Sequence, residues 1–111
     1  MHDCLFCRII AGEIPSGKVY EDDKVYAFRD INPQAPVHVL IVPKKHMANI
    51  LECDGETAAA LTEAVGKIAA REGVAESGFR VVSNCGRDGA QSVEHLHVHL
   101  LGGTALTERM A

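Results

Sequence analysis

Between residues 95 and 101 the chain reads His95-Leu96-His97-Val98-His99-Leu100-Leu101. Successive side chains of a β-strand point to opposite faces, so a strand over these residues carries His95, His97 and His99 on one face. Leu96, Val98 and Leu100 take the other, which belongs against a helix layer. Three uses of such a row compete. It can be a partly solvated strand that happens to be rich in histidine. It can be a three-histidine metal site, although i, i+2 and i+4 positions form a line, not corners of a tetrahedron. It can also divide the labour, with one imidazole as nucleophile, one orienting it and one as a ligand or structural group. Imidazole suits attack on phosphorus because it is substantially neutral near pH 7 and leaves readily from an N-phosphorylated intermediate.

The loop Asn84-Cys85-Gly86-Arg87-Asp88-Gly89-Ala90-Gln91-Ser92 comes just before this strand. Glycines and small residues let backbone N–H groups approach an anion, and Ser92 adds a hydroxyl. Most glycine-containing loops bind nothing, but beside a row of histidines this one reads as a phosphate cradle. At the other end of the chain, Cys4 and Cys7 have the spacing of zinc ligands, with no matching second pair formed by Cys53 and Cys85. A redox dithiol and a pair of ordinary buried thiols are the alternatives. The chain lacks the βαβ context of a thioredoxin-like site.

Several elements must hold these groups in place. Residues 4 to 10 read as a short helix stopped by Gly12 and Pro15. Residues 19–21 and 25–28 flank Asp22-Asp23-Lys24 as a hairpin. Pro33 and Pro36 keep residues 32 to 36 irregular. Val37 to Val42 is then a buried strand whose one polar residue is His38. Asp54 to Arg71 is the clearest helix, capped by Asp54, ended near Gly73, and apolar along Ala58, Leu61, Val65, Ile68 and Ala69. Phe79 to Ser83 is a further strand. Hairpin-linked strands with inserted helices predict an α+β fold with an antiparallel sheet, a long helix and a short N-terminal helix.

The chain has 111 residues, 47% of them apolar, which suits a single domain over residues 1–111. A chain this short buries a limited share of its surface, so a metal site or a dimer interface is a natural supplement. The net charge of −4, from 11 Lys and Arg against 15 Asp and Glu, argues against a protein that coats nucleic acid. The opening Met1-His2-Asp3-Cys4 shows no basic region followed by an apolar stretch, and no apolar run is long enough to span a membrane. A cytoplasmic protein is the expectation, with its four cysteines as thiols or metal ligands in preference to disulfides.

The run from His95 to Leu101 resembles the defining motif of the histidine triad (HIT) superfamily. Asp30-Ile31-Asn32-Pro33-Gln34-Ala35-Pro36, His38, Pro43-Lys44-Lys45-His46 and Asp88-Gly89-Ala90-Gln91-Ser92-Val93 resemble its purine nucleoside phosphoramidase branch. The likeness runs from about Cys4 to Gly103. Ser92 and Gly102-Gly103 favour this branch over the dinucleoside polyphosphate hydrolases. The resemblance implies cleavage of nucleoside 5′-phosphoramidates through a nucleotidyl-histidine. His97 matches the nucleophile, His99 the α-phosphate contact, and His38 the buried histidine that bonds to the nucleophile's ring and fixes its tautomer. Ser92 matches the side chain near the leaving amine, and Asn84 and the Ala90 backbone the phosphate-side contacts. Asp30 matches the ribose acceptor, and Leu5, Phe6, Phe28, Ile31 and Leu40 the base pocket. Phe28, Ile31 and Leu40 are equally readable as plain core.

The resemblance also implies a structural zinc on Cys4, Cys7, His46 and His95, and a two-fold homodimer through the long helix and the 79–84 strand. Two features depart from the branch. Ala90 stands where glycine is usual, and the tail from Thr104 to Ala111 lacks a Trp-Pro-Pro-Gly ending, which puts the leaving-group preference in doubt. Rival functions are a dinucleoside polyphosphate hydrolase, a nucleotidyl transferase, or a noncatalytic nucleotide-binding regulator. The set of His38, Ser92, His97 and His99 favours catalysis.

Overall fold

The computed structural model describes residues 4–109; the opening residues Met1 to Asp3 and the last two of the tail, Met110 and Ala111, lie outside them. Elements follow in the order α1 (Leu5–Ile10), β1 (Lys18–Glu21), β2 (Val25–Arg29), β3 (Val37–Pro43), a 3₁₀ turn at Ile50–Glu52, α2 (Gly55–Arg71), β4 (Phe79–Val82) and β5 (Val98–Gly102). The strands form one antiparallel sheet in the order β1-β2-β3-β5-β4. The expected fold class is therefore the observed one. No helix among the described residues is long and apolar enough to cross a membrane.

Side-chain parity on the central strands assigns the two faces of the sheet. Val25, Ala27, Val39 and Ile41 point into a core shared with Leu61, Ala64 and Ile68 of α2. Their neighbours Tyr26, Phe28, Leu40 and Val42 point the other way, into a smaller cluster with Phe6 and Ile9 of α1. Both faces of β3 are covered, which is why it reads as a nearly unbroken apolar run. His38 lies on the α1 face by the same parity. The cross-strand register Leu40↔His99 and His38↔Leu101 puts His99 on that face too, diagonal to His38. Leu96 and Leu100 belong to the α2-side core, as the alternation predicts.

The helix ends follow local chemistry. The Asp54 side chain accepts from Thr57 N–H at 2.7 Å, relieving a donor that the first helical turn leaves unpaired. At the other end, Gly73 has φ 75° and the Val74 N–H reaches back to the Ala69 carbonyl at 3.0 Å, a closure that uses glycine's freedom in the left-handed region. The buried stripe of α2 is Leu61, Ala64, Ile68 and Ala69. Ala58, expected on that stripe, is exposed.

One expectation needs correcting. The strand predicted over residues 95–101 begins only at Val98. β3 ends at Pro43, which has no N–H to continue the ladder, and the last β3–β5 pair is Ile41↔Val98. Upstream of that pair, Leu96 N–H donates to the Met47 carbonyl at 2.7 Å, drawing residues 95–97 toward the segment after β3. The histidines therefore do not form one straight row.

The loop between β4 and β5 closes tightly. A Cβ on Gly89 would stand 2.5 Å from the Cys85 carbonyl oxygen, and Ala90 holds φ 59°, a region that costs an L-residue about 1–2 kcal/mol. Gly89→Ala should therefore lower stability by about 1–3 kcal/mol through forced backbone movement. Ala90→Gly should leave it unchanged or raise it, because relief of strain offsets the added freedom of the unfolded chain. Denaturant titration of both variants checks the pair; the reverse ranking would mean that the loop is not built around these two backbones.

Candidate active site

The imidazoles occupy two adjoining clusters. In the first, His97 and His99 lie with ring centroids 5.1 Å apart, and His99 Nδ1 is 2.9 Å from His38 Nε2. An Asp30 carboxylate oxygen stands 3.5 Å from the same His38 nitrogen. In the second, His95 Nδ1 lies 3.2 Å from Cys4 Sγ and 3.5 Å from Cys7 Sγ, while His46 Nδ1 is 3.4 Å from Cys7 Sγ. His97 and His38 are each 4% exposed and His95 is fully buried, so hydrogen bonds within the protein set how these rings sit. Those bonds decide the chemistry.

Backbone atoms set the tautomers. Gln34 N–H can only donate, and it reaches His38 Nδ1 at 3.0 Å. Burial holds His38 below the usual histidine range, against a weaker opposing pull from Asp30, so the ring is neutral and its proton sits on Nε2. That N–H donates to His99 Nδ1. Burial, then the neighbouring His97 and His38, push His99 down to about 4. A neutral His99 that accepts at Nδ1 must carry its proton on Nε2, where it becomes a donor. The opposite arrangement holds at His97, whose Nδ1 lies 2.7 Å from the His95 carbonyl oxygen. A carbonyl only accepts, so Nδ1 carries the proton and the lone pair falls on Nε2. His97 is thus set as a nucleophile or base and His99 as a donor.

This differs from the expectation that His38 fixes the tautomer of His97. His38 bonds to His99, because register sets it diagonal to that residue. The carbonyl of His95 does the fixing. Sequence reasoning missed this contact, and Gln34 and the Ser83 hydroxyl that donates to the His97 carbonyl at 2.9 Å, because a backbone partner leaves no residue-type signature.

The surroundings sort the other expected residues. The Phe6 ring stands edge-on to His97 with centroids 5.0 Å apart, and to Phe28 at 5.5 Å. Phe6, Phe28 and Leu40 are buried in one cluster, forming the floor beneath the histidines. Leu5 is exposed and Ile31, at 90% exposed, stands out in solvent, so neither belongs to that floor. Asp30 Oδ1 accepts from Asn32 N–H at 2.8 Å, holding the carboxylate beside His38. Asn84 is half-buried and Ser92 exposed at opposite ends of the loop. The Ala90 N–H donates to the Arg87 carbonyl at 3.0 Å and is therefore already engaged within the turn.

The Cys4, Cys7, His46 and His95 donors all lie within 4.8 Å of one another. A tetrahedral zinc sphere needs ligand atoms about 3.3–3.8 Å apart, given Zn–S near 2.3 Å and Zn–N near 2.0–2.1 Å, and the sulfur–nitrogen distances above lie at or close to that range. His95 Nε2 donates to the Pro43 carbonyl at 2.8 Å, which leaves its Nδ1 lone pair facing the thiols. Cys4 caps α1, with Cys7 N–H donating to its sulfur at 3.3 Å. Burial and the adjacent Cys4 push the Cys7 thiol up to about 11, so a cation entering here displaces a proton. The donor set fits a closed metal site. The Asp30, His38 and His99 donors also approach one another, but they are committed to the hydrogen bonds just described.

Known proteins are similar to this chain over most of its length. Residues 11–106 match the HIT domain family. The purine nucleoside phosphoramidase of Escherichia coli is 46% identical over 98% of this chain and 94% of its own length. The 14 kDa zinc-binding protein of Zea mays is 50% identical over 89% of this chain and 80% of its own. The crystal structure of a HIT family hydrolase from Legionella pneumophila superposes with a TM-score of 0.92 at 48% identity, over 96% of this chain and 97% of that one. A family match over most of the chain, with relatives near half identity along nearly its full length, establishes that this protein belongs to the HIT, or histidine triad, family.

Proposed function

We propose that the protein hydrolyses nucleoside 5′-phosphoramidates at the P–N bond, with a covalent nucleotidyl-His97 intermediate and purine nucleotides as the preferred class. The observation that carries this reading is the opposed pair of tautomers: a bare Nε2 on His97 beside an N–H on Nε2 of His99. The Escherichia coli relative, named as a purine nucleoside phosphoramidase, supports the choice of substrate.

The His97 Nε2 lone pair attacks the α-phosphorus while the bond from phosphorus to the leaving nitrogen breaks. The departing amine takes up a proton, relayed from solvent by the Ser92 hydroxyl. His99 Nε2–H donates to a non-bridging phosphate oxygen as negative charge gathers there. His97 becomes cationic when phosphorylated, and its Nδ1–H bond to the His95 carbonyl strengthens with that charge. Water then attacks phosphorus and loses a proton to solvent as the P–N bond to His97 breaks, and the nucleoside monophosphate leaves as the ring recovers its lone pair. Asn84 binds on the phosphate side, and Ala90 contributes the left-handed corner that shapes the cradle. Asp30 accepts from the ribose, and the base rests on Phe6, Phe28 and Leu40, with Leu5 and Ile31 as an outer rim.

Zinc held by Cys4, Cys7, His46 and His95 is proposed as a structural ion. Four protein ligands leave no open coordination position, so it supplies cross-linking of α1 to the segments beside β3 and β5 and no reaction chemistry. The Zea mays relative's name and the donor geometry support this. A homodimer through β4 and α2 is proposed on a separate ground. Among the described residues β4 pairs only with β5, and Phe79 and Val81 on one of its faces are 39% and 48% exposed; an apolar edge strand of this kind invites pairing with a second copy.

Three measurements check these proposals. His97→Ala should abolish release of amine from adenosine 5′-phosphoramidate while binding of the monophosphate survives, and wild type quenched without acid should carry one nucleotidyl adduct by mass spectrometry. Turnover by the alanine variant would remove His97 from the mechanism, and binding without turnover in wild type would favour a noncatalytic nucleotide-binding protein. Metal analysis should find about one zinc per chain. Chelation or Cys4→Ala should lower the melting temperature by about 4–8 °C for each kcal/mol lost, with activity falling second. Zinc-free protein that melts unchanged after chelation would leave the cysteines as ordinary thiols. Sedimentation at micromolar concentration should show a dimer that Val81→Lys converts to monomer; a wild-type monomer there rejects the interface.

A further inference from the structure

Gln91 sits between the phosphate-side loop and the histidine run, and its half-buried amide is fully used. The Nε2 group donates to the Ala48 carbonyl at 2.6 Å and to the Val93 carbonyl at 2.9 Å. Oε1 accepts from the Gly86 N–H at 2.9 Å. The Gln91 backbone N–H returns to the Gly86 carbonyl at 3.0 Å, so Gly86 and Gln91 are joined by a reciprocal pair. Two carbonyls on one side and an N–H on the other leave the amide a single sensible orientation.

These bonds join parts of the molecule that no secondary structure connects. Gly86 begins the turn that Gly89 and Ala90 complete. Val93 packs against the cluster containing Phe6 and Phe28. Ala48 follows His46 by two residues, and the intervening Met47 carbonyl is the one that takes Leu96 N–H. One side chain thus ties both ends of the loop to each other and to the segment that already steers residues 95–97. Ser92 lies between the Gln91 and Val93 anchors.

We infer that Gln91 is a positioning residue that holds the 84–92 loop, and with it Asn84 and Ser92, at the distance from His97 that phosphoryl transfer requires. The inference rests on the phosphoramidase reading for its effect on rate. The nucleoside floor is made by α1, β2 and β3, to which Gln91 makes no hydrogen bond among the described residues, so its loss should be felt in the transition state more than in ground-state binding. Misplacement of a reacting geometry by about 1 Å costs on the order of a hundredfold in rate. Gln91→Met keeps the length and removes all three amide bonds. Gln91→Glu keeps the acceptor for Gly86 but sets a carboxylate against the Ala48 and Val93 carbonyls, and it should be the worse of the two.

The test has two readouts on the full-length, zinc-loaded protein. With adenosine 5′-phosphoramidate, Gln91→Met should lose roughly ten- to a hundredfold in kcat, counted per nucleotidylated site, while KM and the Kd for adenosine monophosphate stay within about threefold, on the view that the lost contacts act in the transition state. Hydrogen exchange should show lost protection at residues 84–92 in both variants, with α2 and β1 to β3 unchanged. An unchanged kcat per site, or a rise in KM equal to the whole loss of kcat/KM, overturns the positioning role. So does unaltered exchange in the loop. If wild type turns over no phosphoramidate, the functional reading has failed instead, and the exchange arm still decides whether Gln91 holds the loop.

Discussion

The hydrogen bond from His97 Nδ1 to the His95 carbonyl, at 2.7 Å, depends on the chain being bent where an ideal strand would run straight. In a regular strand the carbonyl of residue i and the side chain of residue i+2 do not meet in this way. They meet here because β5 starts late. Pro43 ends the β3 ladder, the Met47 carbonyl takes the Leu96 N–H, and the backbone at residues 95–97 turns so that one residue delivers both a carbonyl to its neighbour and a ring to the cysteines. The tautomer of His97 is therefore a property of the main chain.

That bend also explains how two clusters of histidines coexist without mixing their roles. His95 donates from Nε2 to the Pro43 carbonyl and faces Cys4 and Cys7 with Nδ1. His97 donates from Nδ1 and keeps Nε2 free. His38 accepts at Nδ1 from Gln34 and donates onward to His99. Burial disfavours the charged form of His95, His38 and His99, and His95, His97 and His38 each have a proton pinned by a group that cannot change roles: a carbonyl in two cases and a backbone N–H in the third. A set of imidazoles with free tautomers would interconvert at almost no cost, and His97 would present its lone pair at Nε2 only part of the time. Fixing the protons through the backbone removes that loss before any substrate arrives, which is the physical content of preorganisation.

Much of this was legible from residue types and spacing. Alternation in residues 95–101 and 37–42 identified the faces, because period-two burial is a direct consequence of strand geometry. The helix over residues 54–71 was marked by its cap and its 3.6-residue stripe, and the Cys4–Cys7 spacing pointed to a ligand pair. The partners of those cysteines came only through resemblance, since His46 and His95 are distant in sequence and nothing local announces them. The true start of β5 was hidden because it is set by a proline on a different strand. The tautomer contacts and the amide of Gln91 were hidden for a related reason: they terminate on main-chain atoms, which every residue possesses. That Ile31 stands in solvent and is not plain core was hidden because an apolar residue in an irregular loop after β2 carries no periodicity to say which way it points.

A domain of this size has little core to spare for rigidity at its active site. The sheet holds His99 between Leu40 and Val82 and His38 opposite Leu101, but His97 lies just before the start of β5. What remains is supplied by polar cross-links placed around that end: the cysteine–histidine cluster below residue 95, the Met47 carbonyl beside Leu96, the Ser83 hydroxyl on the His97 carbonyl, and the Gln91 amide on the loop in front. Each acts on backbone within three residues of a site histidine or on the loop facing it, and of these only the Met47–Leu96 link joins residues of the α2-side core. Stability and site geometry are thus partly separable here. Loosening the α2-side core would lower the melting temperature of the whole sheet, whereas loosening any one of these links would blur the direction of a lone pair while most of the fold stayed intact.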